Sequence, residues 1–125
     1  DIELAIELKE KVEAGEFIVI VCDRTSTTKT DRTVKASFLG KEANFPQGPF
    51  ILAGLLQCPT HFMLCLKQKT NNFEVVFEEF DTIINIDKKN RQENLCYYAQ
   101  KYANRLEQYC ALYPLQWFNF FNFWR

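Results

Sequence analysis

The sequence is short of the residues that most often hold a metal ion. It contains one histidine, His61, and no two of its five cysteines have the CxxC spacing. Because a zinc site needs about four ligands placed close together, this pattern argues against a metal site, and we expect no cofactor. Most of the cysteines lie in apolar stretches, where a thiol behaves as a small core residue. Because their number is also odd, a reducing compartment fits best.

An excess of charge of one sign is also missing. Fifteen basic and sixteen acidic residues give a net charge of −1, so no overall field attracts the chain to nucleic acid. No apolar run approaches the ~20 residues of a membrane-spanning helix. The sequence also lacks a GxSxG elbow, a P-loop and an HExxH motif, which are the signatures of α/β-hydrolases, P-loop nucleotide-binding proteins and zinc metalloproteases. These residues alone therefore identify no self-sufficient active site.

Helical and strand patterns alternate in the first half of the chain. The segment IELAIELKEKVEAG predicts an amphipathic helix, with Gly15 as a left-handed C-terminal cap. The apolar run Phe17–Cys22 then predicts a strand buried on both faces, as in a parallel sheet. A polar loop follows, and alternation in residues 34–38 predicts a second strand, after which GKEANFP leads out of the sheet.

The second half repeats the alternation. Gly48-Pro49 begins a short apolar helix, and CPTHFMLCLKQ and FEVVFEEF predict two more strands. Residues 91–113 have the clearest helical stripe, which Pro114 ends. The order αββαββα predicts a single α/β domain over residues 1–125, a layered domain with a mixed, largely buried sheet flanked by helices.

Six aromatic rings crowd the eight positions 117–124 of the closing stretch PLQWFNFFNFWR. At helical spacing, Trp117, Phe120, Phe121 and Trp124 share one face. A core helix packed on the sheet is one interpretation of that face. Contact with a membrane surface is the other, because tryptophan rings settle at lipid headgroups, and it predicts Trp117, Phe121 and Trp124 as membrane-contact residues.

The strongest candidates for ligand binding follow the first apolar run. Asp23 and Arg24 come at the end of a predicted buried strand, where α/β sheets commonly place binding groups. Arg24, Lys29 and Arg32 would suit a phosphate or an acidic carrier protein, although a solvated polar loop explains them equally well. The turn FPQGPF exposes backbone amides near Gly48, which would suit an anion.

Two further features do not form a catalytic pair. Glu78 and Glu79 alternate across a strand, so they point to opposite faces, and we interpret both as solvated. His61 lies among apolar residues, with no carboxylate near it on its own strand, and is interpreted as a core or half-buried histidine.

Three motifs in a fixed order resemble the lysophospholipid acyltransferase-like superfamily, in particular the lipid A biosynthesis (lauroyl/myristoyl) acyltransferases of Gram-negative bacteria. The first is the loop led by Asp23, followed by a strand that ends in Phe38-Leu39-Gly40. The second is Phe45-Pro46-x-Gly48-Pro49, which opens a helix. The third is Tyr113-Pro114-x-Gln116-Trp117. Together they extend over most of the chain from Gly15 onward.

The resemblance implies transfer of a fatty acyl group from acyl carrier protein or acyl-CoA to a hydroxyl of a lipid or glycolipid, at the cytoplasmic face of the bacterial inner membrane. It implies that Asp23, Arg24, Phe45 and Gly48 contact substrate, and it requires no metal.

One part of the family pattern is missing. The catalytic histidine of the family is followed five positions later by an acid, whereas the residue at that distance from His61 is Leu66. The chain is therefore expected to be the C-terminal half of such an acyltransferase, inactive alone, with no catalytic residue of its own. A non-catalytic module that binds lipid or acyl carrier protein is the alternative, and a soluble α/β interaction domain is a third.

Overall fold

The computed structural model describes residues 2–25 and 32–124. Along the chain it contains α1 (Ile2–Glu13), β1 (Thr33–Phe38), β2 (Lys41–Pro46), α2 (Gly48–Leu56), β3 (Thr60–Lys67), β4 (Phe73–Asp81), α3 (Arg91–Leu112) and a 3-10 turn at Pro114–Gln116. The mixture of helices and strands is confirmed, and so is the order of element types. The first strand, however, is not at its predicted place.

The strands form two separate antiparallel hairpins. Ala36 of β1 lies opposite Ala43 of β2, and Met63 of β3 lies opposite Phe77 of β4. The predicted single, mixed and largely buried sheet is therefore wrong for the part of the chain that the structure describes. The connections explain the difference, since each hairpin is joined by a few residues, whereas a parallel pair needs a crossover of a dozen or more.

The apolar segment 17–22 is not a strand. It pairs with neither hairpin, and the side chains of Phe17 and Val19 are 86% and 76% exposed. A strand needs a neighbour that accepts and donates its backbone hydrogen bonds, and an apolar composition does not supply one. The prediction of a strand buried on both faces fails for this reason.

The residues predicted to lead out of the sheet form β2 instead. Leu39 and Gly40 have φ values of 50° and 79°, so both central residues of the turn adopt the left-handed conformation that closes a tight hairpin. The Leu39 N–H donates to Glu107 Oε2 at 2.6 Å, which ties the turn to α3. Ala43 and Phe45 are buried and alternate with more exposed neighbours, so the strand pattern is present in the sequence.

Both short helices begin or end as predicted. Gly15 has a φ of 85°, and the N–H groups of Gly15 and Glu16 donate to the carbonyls of Val12 and Lys11. These two bonds form the glycine cap that the sequence predicts for α1. Helix α2 begins at Gly48 with Pro49 in its first turn, which is also confirmed.

Helix α3 lies against both hairpins and carries much of the core. The Gln100 side chain bonds the N–H and the C=O of Ser37, so it occupies the outer edge of β1. On the other side, the ring of Phe62 in β3 packs against the rings of Tyr102 and Tyr109. The buried residues of α3 are Leu95, Tyr98, Ala99, Ala103, Leu106 and Cys110.

The C-terminal aromatic segment folds around one ring. The Phe38 ring lies 5.2 Å from the Trp117 ring, 5.4 Å from the Phe123 ring and 6.1 Å from the Trp124 ring. The Trp124 indole N–H also donates to the Phe38 carbonyl at 3.1 Å. The predicted helix is wrong, because no helix follows Gln116 in the described residues, but packing of part of this segment in the core is confirmed.

Truncation of the central ring is expected to be costly. Phe38 is 0% exposed, so Phe38→Ala removes a ring from between several aromatic neighbours and should lower the free energy of unfolding by about 3–5 kcal/mol. Phe120 is 91% exposed, and Phe120→Ala should change that free energy by less than about 0.5 kcal/mol. Urea denaturation followed by circular dichroism measures both, and similar midpoints for the two variants would contradict the assignment of Phe38 to the core.

A pH effect on stability is expected from Glu78. Its carboxylate accepts from Arg105 and from the Tyr109 hydroxyl, and these bonds lower its pKa below the ordinary 4.5. A lowered folded-state pKa adds stability above the unfolded value that is lost as the pH falls below about 4.5. Glu78→Gln should therefore flatten the decline of stability in acid, measured by urea denaturation across pH. Glu79→Gln leaves the Arg105 contact intact and should retain the slope.

Candidate functional site

An apolar cleft of about 550 Å³ opens between three parts of the fold. One wall is the segment from Gly15 to Ile20, together with Cys22. A second wall is α2, and the third is the outward face of the β3–β4 hairpin. The lining is mainly aliphatic and aromatic, and it includes Phe17, Ile18, Val19, Ile20, Pro49, Leu52, Ala53, Leu56, Met63 and Phe77.

Several apolar side chains that line the cleft are left in contact with solvent. Ile20, Met63 and Phe77 line it and are 51%, 51% and 56% exposed. Large apolar surfaces of this kind on a soluble domain commonly mark a binding site. A ligand that fills the cleft would remove these side chains from water, so the arrangement favours an apolar ligand.

Thr60 and His61 bring polar groups to the same cleft. His61 is exposed, and its ring stacks on Phe77 with the centroids 4.5 Å apart. The prediction of a core or half-buried histidine is therefore wrong. Its partner across the hairpin is Glu79, a carboxylate that the pattern of a single strand does not reveal.

Cys22 is a protonated thiol in the wall of the cleft. Burial raises its pKa to about 12, with a smaller contribution from the neighbouring Asp23 carboxylate. Burial also raises the pKa of the Tyr102 hydroxyl, which lines the cleft as well. Neither group is ionised near neutral pH, so both present a neutral surface to a ligand rather than a nucleophile.

Asp23 and Arg24 join the cleft wall to the C-terminal segment. Asp23 Oδ2 accepts from the Trp117 indole N–H at 3.2 Å, and Arg24 Nη2 donates to the Phe118 carbonyl at 2.6 Å. The Arg24 guanidinium also lies over the Phe121 ring, 5.5 Å from its centroid. Two predicted substrate contacts thus meet two predicted membrane contacts, in an arrangement that we call the Asp–Arg clasp.

The other predicted substrate contacts lie elsewhere. The Phe45 side chain is 0% exposed and packs against Phe38, Tyr102 and Phe123, so it reaches no ligand without an opening of the core. Gly48 is exposed at the start of α2, next to Pro49 in the cleft wall.

The remaining predicted positions divide between core and surface. Trp117 and Trp124 are half-buried against the core, whereas Phe121 is 36% exposed. Lys29 lies outside the described residues, and Arg32 is exposed just before β1.

The two glutamates at the end of β4 point to opposite faces, as predicted. Only Glu79 is exposed, however. Glu78 is half-buried and pairs with Arg105 and Tyr109, so its interpretation as a solvated carboxylate is wrong. Arg105 and Tyr109 on α3 are distant from Glu78 in sequence, so the strand pattern does not reveal them.

Residues 2–25 and 32–124 contain neither a metal-binding cluster nor a membrane-spanning helix. No three or more His, Cys, Asp or Glu side chains come together in a group that could hold a metal ion. None of the helices in this part of the chain has the length and apolar character to cross a membrane.

The thiols should differ sharply in reactivity. Burial, followed by the Asp23 carboxylate, raises the pKa of Cys22 to about 12 and that of Cys110 to about 11, whereas Cys65 is exposed. Because the thiolate is the reacting form, iodoacetamide at about pH 8 should alkylate Cys65 at least about a hundredfold faster than Cys22 or Cys110. Peptide mapping by mass spectrometry measures the rates. In urea the difference should disappear; equal rates in the folded protein would contradict the assigned burial.

Comparisons with known proteins leave the family open. No protein-family model, curated protein or solved structure matches the chain. A functional proposal therefore rests on the residues and the geometry described above.

Proposed function

We propose that the chain forms the acyl-binding part of a fatty acyltransferase. The reaction is transfer of an acyl group from acyl carrier protein or acyl-CoA to a hydroxyl of a lipid or glycolipid at the cytoplasmic face of the bacterial inner membrane. The family would be the lysophospholipid acyltransferase-like superfamily, in its lipid A (lauroyl/myristoyl) branch. The apolar cleft is the observation that supports this proposal most directly.

The size and lining of the cleft suit a fatty chain. Its volume of about 550 Å³ lies within the ~300–1,000 Å³ typical of small-ligand sites. Its walls offer few hydrogen-bonding groups, so a ligand that is itself apolar loses little when it leaves water. Thr60 and His61 supply polar groups where the thioester or the acceptor hydroxyl would lie.

The chemistry itself needs a proton-handling pair that this chain does not supply. We propose that the histidine and acid of the family lie in a polypeptide outside these 125 residues and pack against the exposed apolar side chains of residues 17–21. That histidine would deprotonate the acceptor hydroxyl, and its acidic partner would stabilise the imidazolium. The layered acyltransferase fold would be complete only with this second part.

Within the chain, the Asp–Arg clasp is proposed to position the wall of the cleft. Asp23 and Arg24 follow directly after Cys22, and their bonds to Trp117 and Phe118 fix the end of the wall. The Arg24 side chain is 42% exposed. Arg24 is therefore a candidate for contact with a phosphate of the donor or the acceptor.

A non-catalytic module that binds lipid or acyl carrier protein is the second candidate. It is favoured by the sequence around His61, which lacks an acid five residues later. Binding without turnover would need only the cleft and the clasp.

Binding of dodecanoate to the purified chain tests the cleft. Met63 lines the cleft, and Val75 is similarly exposed on the hairpin but does not line it. Met63→Glu should lower the affinity for a fluorescent dodecanoate by at least about tenfold, because a carboxylate next to an apolar chain is costly to desolvate. Val75→Glu should leave the affinity within about twofold.

Two outcomes separate the candidates. Failure of the chain to bind dodecanoate, or equal effects of the two substitutions, would contradict both of them. If binding holds, transfer of the dodecanoyl group from acyl carrier protein to a lipid or glycolipid hydroxyl, with release of the free carrier thiol, by this chain together with the polypeptide that supplies the proton-handling pair identifies an acyltransferase. Binding without transfer identifies the module.

A further inference from the structure

The aromatic rings of the C-terminal segment divide between the core and the surface. Phe123 is buried, and Trp117 and Trp124 pack against the core, whereas Phe118 and Phe120 are 62% and 91% exposed. Leu115, in the 3-10 turn just before them, is 88% exposed. We call Leu115, Phe118 and Phe120 the aromatic tip. Phe118 and Phe120 neither belong to the buried core nor pack against it, unlike the other three rings.

The backbone of the aromatic tip is held at several points. The Gln116 side chain bonds both the N–H and the C=O of Lys67, each at 2.8 Å. Trp117 and Phe118 are held by the Asp–Arg clasp. The Phe118 and Phe120 rings stack on each other with centroids 6.4 Å apart. The exposed rings therefore project from an anchored turn, and less conformational entropy is lost when they bind.

Positive charge lies beside the tip. Arg24 contacts the carbonyl of Phe118 and the ring of Phe121, and Lys67 is the exposed residue bonded to Gln116. The Asp23 carboxylate lies 3.6 Å from the Arg24 guanidinium and accepts from the Trp117 indole, so it offsets part of the charge of Arg24, whose side chain is still 42% exposed. Exposed apolar rings bordered by Arg and Lys match an anionic phospholipid surface, in which acyl chains lie beneath phosphate groups.

We propose that the aromatic tip is a membrane-docking surface, in which Leu115, Phe118 and Phe120 enter the headgroup region and Arg24 and Lys67 face lipid phosphates. This changes the predicted contact set. Trp117 and Trp124 pack against the core, and exposed residues between and before them meet the lipid. The inference deepens the proposed function by naming the surface that meets the membrane, but docking needs neither an acyl donor nor turnover.

A second copy of this chain is a weaker match for the tip. Two copies that met through this surface would bring Arg24 and Lys67 of one close to those of the other, and like charges at an interface oppose association. An anionic bilayer has the opposite charge and removes that cost.

Sedimentation with lipid vesicles tests the proposal. The chain should bind vesicles of phosphatidylethanolamine and phosphatidylglycerol more tightly than vesicles of phosphatidylcholine. Phe120→Ser should lower binding by about tenfold or more, because it removes one ring from the inserted set. Tyr97→Ser is the matched control, since Tyr97 is a 61% exposed aromatic residue of α3 that does not line the cleft, and it should leave binding within about twofold.

Charge is tested separately. Lys67 holds Gln116 through its backbone, so Lys67→Gln keeps that anchor. It should lower binding to the anionic vesicles by about fivefold and leave binding to phosphatidylcholine unchanged. Unchanged urea midpoints would show that the variants remain folded.

Three results would overturn the proposal. They are absence of vesicle binding, equal losses for Phe120→Ser and Tyr97→Ser, and a dimer in sedimentation equilibrium that Phe120→Ser abolishes without any effect of lipid. The acyl-binding proposal would survive each of these results if dodecanoate still binds. Conversely, Met63→Glu should lose dodecanoate binding while keeping vesicle binding.

Discussion

The arrangement of the whole chain depends on the ring of Phe38. It ends β1, lies inside the hairpin fold, and is packed by rings that come from the far end of the sequence. This burial joins the first hairpin to the C-terminal segment, in which the described residues 117–124 form no helix or strand. Without a helix or a sheet ladder, that segment is ordered only by side-chain packing and a few polar anchors.

This packing sets the geometry of one end of the candidate site. Once Trp117 is fixed against Phe38, its indole N–H faces Asp23, and Arg24 reaches the next carbonyl along the segment. Asp23 directly follows Cys22, so the same contacts set where one wall of the cleft ends. The core, the clasp and the cleft are therefore connected by one series of contacts. A loss of packing at Phe38 would be expected to shift the wall of the cleft.

The sequence predicts the elements better than their partners. Helices α1, α2 and α3 and strands β3 and β4 follow from periodicity, capping glycine and proline, which act over a few residues. Segment 17–22 has a strand composition but pairs with no strand in the part of the chain that the structure describes, and composition cannot reveal that. β2 was detectable, since Ala43 and Phe45 alternate after a turn that contains Gly40. The terminal rings have helical spacing, but packing around Phe38 outweighs it, and no local pattern encodes a contact between residues so far apart.

Apolar surface remains exposed in two places after folding, and the two differ in kind. Around the cleft it is concave and nearly free of charge, which suits a molecule that can be enclosed. At the aromatic tip it is carried by three exposed side chains close to Arg24 and Lys67, a combination that would suit the headgroup region of a membrane. Both exposures leave apolar surface in contact with water, which costs free energy, and the Asp–Arg clasp connects the cleft wall to the segment that carries the tip. A fatty chain bound in the cleft and a membrane beneath the tip would remove both costs at once, which is the physical reason to consider the two sites together.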